Sequence, residues 1–417
     1  MYLAEMIKNV RIDPSRVERY VETLGSIGLQ AGGGIVRPVY SPAWVEARKQ
    51  LAEWMSAAGL EVREDAVGNL FGRLRGTVDD TRTILTGSHI DTVKLGGRFD
   101  GALGILSALV ALQALREQAG QPLRSLEMVA LCEEEGSRFQ AHYWGTRAML
   151  GLIRGGELGA LQDDEGISIA EAMQAAGLSP ERYREAKRHD LDAFLELHIE
   201  QGRILFDEKI DIGIVETITG IHRQLVTVTG RSDHAGTTPM DLRRDAFQGA
   251  AQMAVEITRM VEQEGRPAVV TMGKWDVRPG AINVVPGEVR FSIDLRHPEE
   301  GTKQRLVEAM RTRCETIAEE RGLTVSIEIT GNSLPAQMDS QLQHKLITAA
   351  EACGATWRLM PSGAGHDSEL MARRVPTAML FVPSVEGRSH SAAEYTPLED
   401  AVRGTSVLAT ALYQLGY

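Results

Sequence analysis

The chain has 417 residues, with 45 Lys and Arg against 57 Asp and Glu and a formal net charge of −12. That length suggests two or three domains, and 43% hydrophobic with 24% charged residues is wrong for a disordered chain. An acidic chain without a Lys/Arg run is a poor binder of nucleic acid or an anionic membrane surface, and the longest uncharged apolar stretch, Gly101–Leu115, is too short to span a bilayer.

Residues 1–30 read as helical, beginning with a charged amphipathic segment rather than a signal peptide. A helix is expected over Trp44–Gly59, stopped by glycine. Two short alternating segments then flank Gly68-Asn69 as in a hairpin. TILTGS (Thr83–Ser88) reads as a buried strand, Gly101–Glu117 as a buried helix, and SLEMVALC (Ser125–Cys132) and Phe194–His198 as further buried strands. This succession predicts a mostly parallel α/β sheet. Near residue 214 the texture changes. ETITGIHRQLVTVTGRSDHAG alternates like an exposed antiparallel strand. It is followed by a helix over Asp245–Gln263, strands over Ala268–Trp275 and Glu288–Arg296, a helix over Thr302–Arg321 and a strand over Thr324–Thr330. That order is the split βαβ sandwich. Residues 214–331 therefore read as an α+β domain inserted into a domain made of residues 1–213 and 332–417. The tail adds a strand at Thr377–Val382 and a last helix at Pro397–Leu415. Cys132, Cys314 and Cys353 form no CxxC pair, which points to the reducing cytoplasm.

Phosphate-binding glycine loops, GxSxG and HExxH are absent. What remains is histidine and carboxylate just past predicted strands. His89 and Asp91 follow TILTGS, on one side of an extended backbone. Asp100 stands in GGRFDG before the buried helix. Glu134 and Glu135 follow SLEMVALC, His198 follows FLEL, and His390 sits in GRSHS. Open α/β sheets bind ligands at the carboxyl ends of their strands. Taken singly, a histidine after a strand is an ordinary hydrogen-bonded residue, Glu133–Glu135 an acidic turn, and Asp100 a turn residue. Jointly, three imidazoles and several carboxylates suit Zn²⁺ or Mn²⁺, and two metals sharing one carboxylate would account for five ligands.

GSHIDTVKLGGRFDG, CEEEGSRF, ELHIEQG, GRSDHAGTTPM and GRSHSAAE resemble, in order, the motifs of the aminoacylase/carboxypeptidase-like dinuclear metallohydrolases. The similarity runs from about Gly25 to Leu415, with the ureido-acid amidohydrolase branch as the best match. It implies a dinuclear catalytic domain with an inserted dimerisation domain. By resemblance, His89 and His198 hold one metal, Glu135 and His390 the other, and Asp100 bridges. Glu134 matches the general base, and Asp91 a carboxylate that orients His89. His198 stands where the peptidase branch has a carboxylate, which argues against a peptidase or aminoacylase. His234 matches a hydrogen-bond donor that completes the partner subunit's site, so a homodimer is implied; on its own it reads as a turn residue. Asn283 and Arg296 match a carboxylate clamp, while Gln201 and the loop Ser362–Asp367, with Gly365, line the substrate pocket. Arg223 matches an arginine of the allantoate branch; carbamoylases carry an apolar residue there. The implied reaction is hydrolysis of the ureido C–N bond of a small ureido carboxylate, releasing ammonia and carbon dioxide. Allantoate is expected first, an N-carbamoyl-L-amino acid second, and a β-ureidopropionase substrate behind both. A non-catalytic module on this fold would have lost Glu134 or a ligand, and all are present.

Overall fold

A computed structural model describes residues 10–417. The first nine residues of the expected leading helix lie outside the described region. Within it a helix runs over Pro14–Ser26, its start capped by the Asp13 side chain. The chain forms two compact units. Described residues up to Glu216, with Gln337–Met360 and His366–Tyr417, make the first, and Thr217–Ala336 with Pro361–Gly365 make the second. The first unit keeps residues 214–216 because they continue the strand Ile212–Ile218, which pairs with Thr377–Val382.

The first unit is built on a nine-stranded sheet. Its four middle strands are, in spatial order, Arg124–Leu131, Asp79–His89, Leu191–Ile199 and Thr377–Val382, and all run parallel. The hairpin Glu61–Glu64 and Leu70–Leu74 extends one side antiparallel, and Ile212–Ile218 the other. Buried runs cover the later part of the middle strands, as expected where both faces of a parallel sheet are covered. The helix Ala102–Ala119 is buried nearly all round and packs against the sheet and the last helix, Leu398–Gly416. Thr405 Oγ1 donates to Ser107 Oγ across these two helices at 2.9 Å. Because the four middle strands are parallel, their carboxyl ends share one edge, and the residues after them converge there.

The second unit is a five-stranded antiparallel sheet, with Thr324–Asn332, Gly220–Thr229, Glu288–His297 and Val269–Thr271 in that order and Trp275–Arg278 also paired to Glu288–His297. Alternation buries Val226, Val228, Val289, Phe291, Ile293 and Leu295 beneath the helices Ala246–Glu264 and Glu300–Glu320. Two expected strands divide. The long alternating run from Glu216 breaks between Ile218 and Gly220, its first part belonging to the nine-stranded sheet. The run Ala268–Trp275 becomes two short strands. Thr271 pairs with Asp294 and Trp275 with Phe291, so one strand carries an extra residue, a bulge. Among the described residues no helix is long and apolar enough to cross a membrane.

Candidate metal centre

Six of the expected residues meet at the carboxyl edge of the first unit's sheet. His89 ends one parallel strand, Glu134 and Glu135 follow its neighbour, and His198 lies near the end of the next. Asp100 precedes the buried helix, and His390 follows the strand Thr377–Val382. Asp100 stands in the middle. Its Oδ1 lies 3.2 Å from His198 Nε2 and 3.6 Å from His89 Nε2, while Oδ2 lies 3.2 Å from His390 Nε2. His390 Nε2 is also 3.5 Å from Glu135 Oε1, and His89 Nε2 is 3.9 Å from Glu134 Oε2. Two groups able to hold a metal ion thus share one carboxylate: His89, Asp100 and His198, and Asp100, Glu135 and His390.

The hydrogen bonds behind these atoms fix which nitrogen faces the cluster. His89 Nδ1 lies 3.1 Å from the Asp91 carbonyl and His198 Nδ1 3.0 Å from the Ile199 carbonyl. Each Nδ1 carries the proton that it donates, so Nε2 is the nitrogen turned toward the cluster; His198 Nε2 also lies 3.2 Å from the Gly101 backbone nitrogen. The Asp91 carboxylate, with Oδ1 3.9 Å from His89 Nδ1, has a further task. It accepts the backbone N–H of Glu134 at 3.1 Å and of Glu135 at 3.2 Å, so it secures the glutamate loop, while its carbonyl orients His89. Glu133 adopts a left-handed φ of 53° and its side chain caps the N–H groups of Arg138 and Phe139. Gly101, at φ 65°, is required because a Cβ there would come within 2.4 Å of the His89 ring. Gln201, expected to line a substrate pocket, donates from Nε2 to Asp100 Oδ2 at 2.9 Å.

The charges explain what these atoms can bind. Burial raises the Glu134 carboxyl well above its usual range; His89 opposes the rise, and Glu135, Asp367 and Asp91 add to it. Burial also raises Glu135, with the charge of Asp100 next. Burial acts the same way on Asp100, but hydrogen bonds from His198, His390 and His89 hold it well below the carboxylate range. The bond to Asp100 lifts His390 to about 9 against burial. Burial disfavours charge on His89 too, yet Asp100, Glu134, Asp91 and Glu135 raise it well above an ordinary histidine. A divalent cation at these atoms replaces the positive charge those protons supply, so its binding releases protons. Imidazole nitrogen and carboxylate oxygen, with no thiolate, are a donor set suited to zinc or manganese.

Sequence reasoning did not single out Ser389, Glu394 or Glu196. Ser389 Oγ lies 2.9 Å from Asp100 Oδ2, and Glu394 accepts the backbone N–H of Phe99 and Asp100. Glu196, buried beneath the site, accepts from the Ser88 and Ser368 hydroxyls. The first two lie within GRSHSAAE, but neither has a periodic or spacing signal that marks its role.

The other expected residues lie in the second unit. Arg223 and Asp294 are directly opposed on neighbouring strands. Arg223 Nε donates to Asp294 Oδ2 at 2.8 Å, and Arg296 grips the same carboxylate through Nε at 2.8 Å and a terminal nitrogen at 3.2 Å. The other terminal nitrogen of Arg296 donates to the Gly363 carbonyl, in the segment that also holds Gly365. His234 and Asn283 sit on paired loops: Ala235 N–H donates to the Asn283 carbonyl at 3.0 Å, and His234 bridges to Val284. His234 Nδ1 accepts the N–H groups of Gly236 and Thr237, which leaves its proton on Nε2.

Residues 85–414 match the model of Peptidase family M20/M25/M40. The chain is 40% identical over 401 residues to the allantoate amidohydrolase of Escherichia coli (strain K12), across 96% of this chain and 98% of that one. It is 41% identical over 395 residues to the N-carbamoyl-L-amino-acid amidohydrolase of Paenarthrobacter aurescens, across 94% and 96% of the two chains. A solved hydantoinase/carbamoylase family amidase from Burkholderia ambifaria covers 97% of this chain and 98% of its own, with a TM-score of 0.92 and 37% identity. The chain therefore belongs to Peptidase family M20/M25/M40 and is a hydrolase of amide or ureido C–N bonds.

Proposed function

We propose that this protein hydrolyses the ureido C–N bond of a small ureido carboxylate, allantoate first and an N-carbamoyl-L-amino acid second, as a homodimer in the cytoplasm. The observation that carries the reading is the single Asp100 carboxylate facing His89 and His198 with one oxygen and His390 with the other. Two divalent cations, zinc or manganese, would be held by His89, Asp100 and His198 and by Asp100, Glu135 and His390; bound there, they polarise a carbonyl and make water more acidic.

The chain's own residues supply the rest. Glu134, buried and held beside His89, takes the proton of the attacking water and carries it to the leaving nitrogen. Asp91 keeps Glu134 and Glu135 in register through their backbone N–H groups. His234, exposed and with its proton on Nε2, donates to the developing oxyanion from a second copy of the chain. Arg296 and Asn283 take the substrate carboxylate, Gln201 and Gly365 border it, and Arg223 takes the further acceptor oxygens that a second ureido group brings. Three free cysteines fit a reducing compartment.

The test is ammonia release from allantoate and from a panel of N-carbamoyl-L-amino acids by protein loaded with Zn²⁺ or Mn²⁺. Turnover of allantoate above N-carbamoyl-L-methionine is expected. A preference for the latter overturns the allantoate assignment alone, and no release from any ureido acid overturns the function.

A further inference from the structure

Four residues beyond His390 stands Glu394, buried, with no part in the chemistry described above. Its Oε1 accepts the backbone N–H of Phe99 at 2.8 Å and of Asp100 at 3.0 Å, across 295 and 294 residues of sequence. Its Oε2 lies 3.0 Å from the Ser389 hydroxyl, and that hydroxyl is 2.9 Å from Asp100 Oδ2, the oxygen that faces His390. The approach is close enough to require Gly97, where a Cβ would fall 2.1 Å from the Glu394 carboxyl carbon. A buried carboxylate is costly unless donors surround it; here two backbone N–H groups do so, and the one Ser389 proton goes to either Glu394 Oε2 or Asp100 Oδ2. All three groups belong to the segments that carry Asp100 and His390.

We propose that Glu394 is a positioning residue: it ties the Asp100 segment to the His390 segment and, through Ser389, fixes the orientation of the carboxylate shared by the two metal-binding groups. The inference rests on the metal reading given above. A carboxylate free to rotate about its Cβ–Cγ bond would present its two oxygens to the two groups only part of the time. Glu394 limits that rotation by holding the Asp100 backbone and by keeping the Ser389 hydroxyl within reach of Oδ2.

The test compares wild type with Glu394→Ala, Glu394→Gln and Ser389→Ala. Each is loaded with Zn²⁺ or Mn²⁺ and dialysed against graded chelator, and metal per chain is measured by elemental analysis. Thermal unfolding of the metal-free chains runs in parallel. Glu394→Ala should lose metal at about 10–100-fold lower chelator concentration, the usual effect of removing a partner of a ligand. Ser389→Ala should lose it in the same direction by less, with metal-free melting unchanged. Glu394→Gln, whose amide oxygen still accepts both N–H groups, should recover most of the hold. Wild-type metal retention in folded Glu394→Ala overturns the proposal. If that variant does not fold, wild-type retention in Ser389→Ala overturns it instead. A wild-type chain that takes up no divalent ion overturns the metal reading itself, and the inference with it.

Discussion

The two units carry their candidate residues in opposite ways. In the first, six side chains from five segments converge at one sheet edge, most of them are buried, and several are oriented by further hydrogen bonds. In the second, Arg223 and His234 are exposed, and Arg223 spends only its Nε on Asp294. Burial in the first unit makes its electrostatics strong and self-contained, as the opposed shifts of Asp100 and Glu134 show. Exposure in the second leaves donors for something outside the unit. On the proposed function, chemistry falls to the first unit, and recognition of substrate and of a second copy to the other.

Substitutions in the two units should separate along that line. Asp100→Ala is expected to have the largest effect: metal per chain, by elemental analysis, falls well below wild type and turnover falls to background. Retained metal would mean that another carboxylate joins the two groups. His234→Ala should keep its metal and lose about 10²–10³-fold in kcat, the usual cost of one oxyanion donor. Refolded with the Glu134→Gln chain, it should regain roughly a quarter of wild-type activity if a closed two-fold dimer shares its sites. No recovery in proven heterodimers would return His234 to its own chain's site. Arg223→Leu should spare metal and lower kcat/KM for allantoate by about 10–100-fold, the worth of a charged hydrogen bond, while N-carbamoyl-L-methionine changes little. Equal losses on both substrates would remove Arg223 from specificity.

The smallest effect concerns pH and lies away from the cluster. Burial would raise the Asp190 carboxyl, but bonds from Arg188 and Thr83 hold it well below its usual value. A depressed carboxylate stabilises the fold above its unfolded pKa of about 3.9, and that contribution disappears as pH falls through the folded value. Asp190→Asn should therefore be less stable than wild type at pH 6, with the difference shrinking in acid unfolding below about pH 4. A constant difference at every pH would contradict the ionic origin.

The sequence was most readable where burial and periodicity act together. The parallel strands are continuous apolar runs, and the chemistry-bearing residues follow them directly, so His89, Glu135 and His198 could be placed from strand ends alone. The split βαβ unit was readable from alternation. The break before Gly220 and the bulge before Trp275 were not, because alternation continues through both while the pairing partner changes. Residues that act on backbone N–H groups were also hidden. Asp91 stood out in the sequence but its hold on the Glu134 backbone did not, and Glu394 did not stand out at all, because no spacing rule connects a side chain to a main-chain donor 43 or 294 residues away.

The most direct test of the central claim is the Glu134→Gln chain, loaded with Zn²⁺ or Mn²⁺ and measured for both metal per chain and ammonia release. The amide keeps the shape of the carboxyl but cannot take a proton from water, and general bases are worth about 10²–10⁴-fold. Wild-type metal content with turnover lower by that factor is the predicted result. Near-normal turnover in the fully loaded variant would contradict the account, because the proton would then have another acceptor.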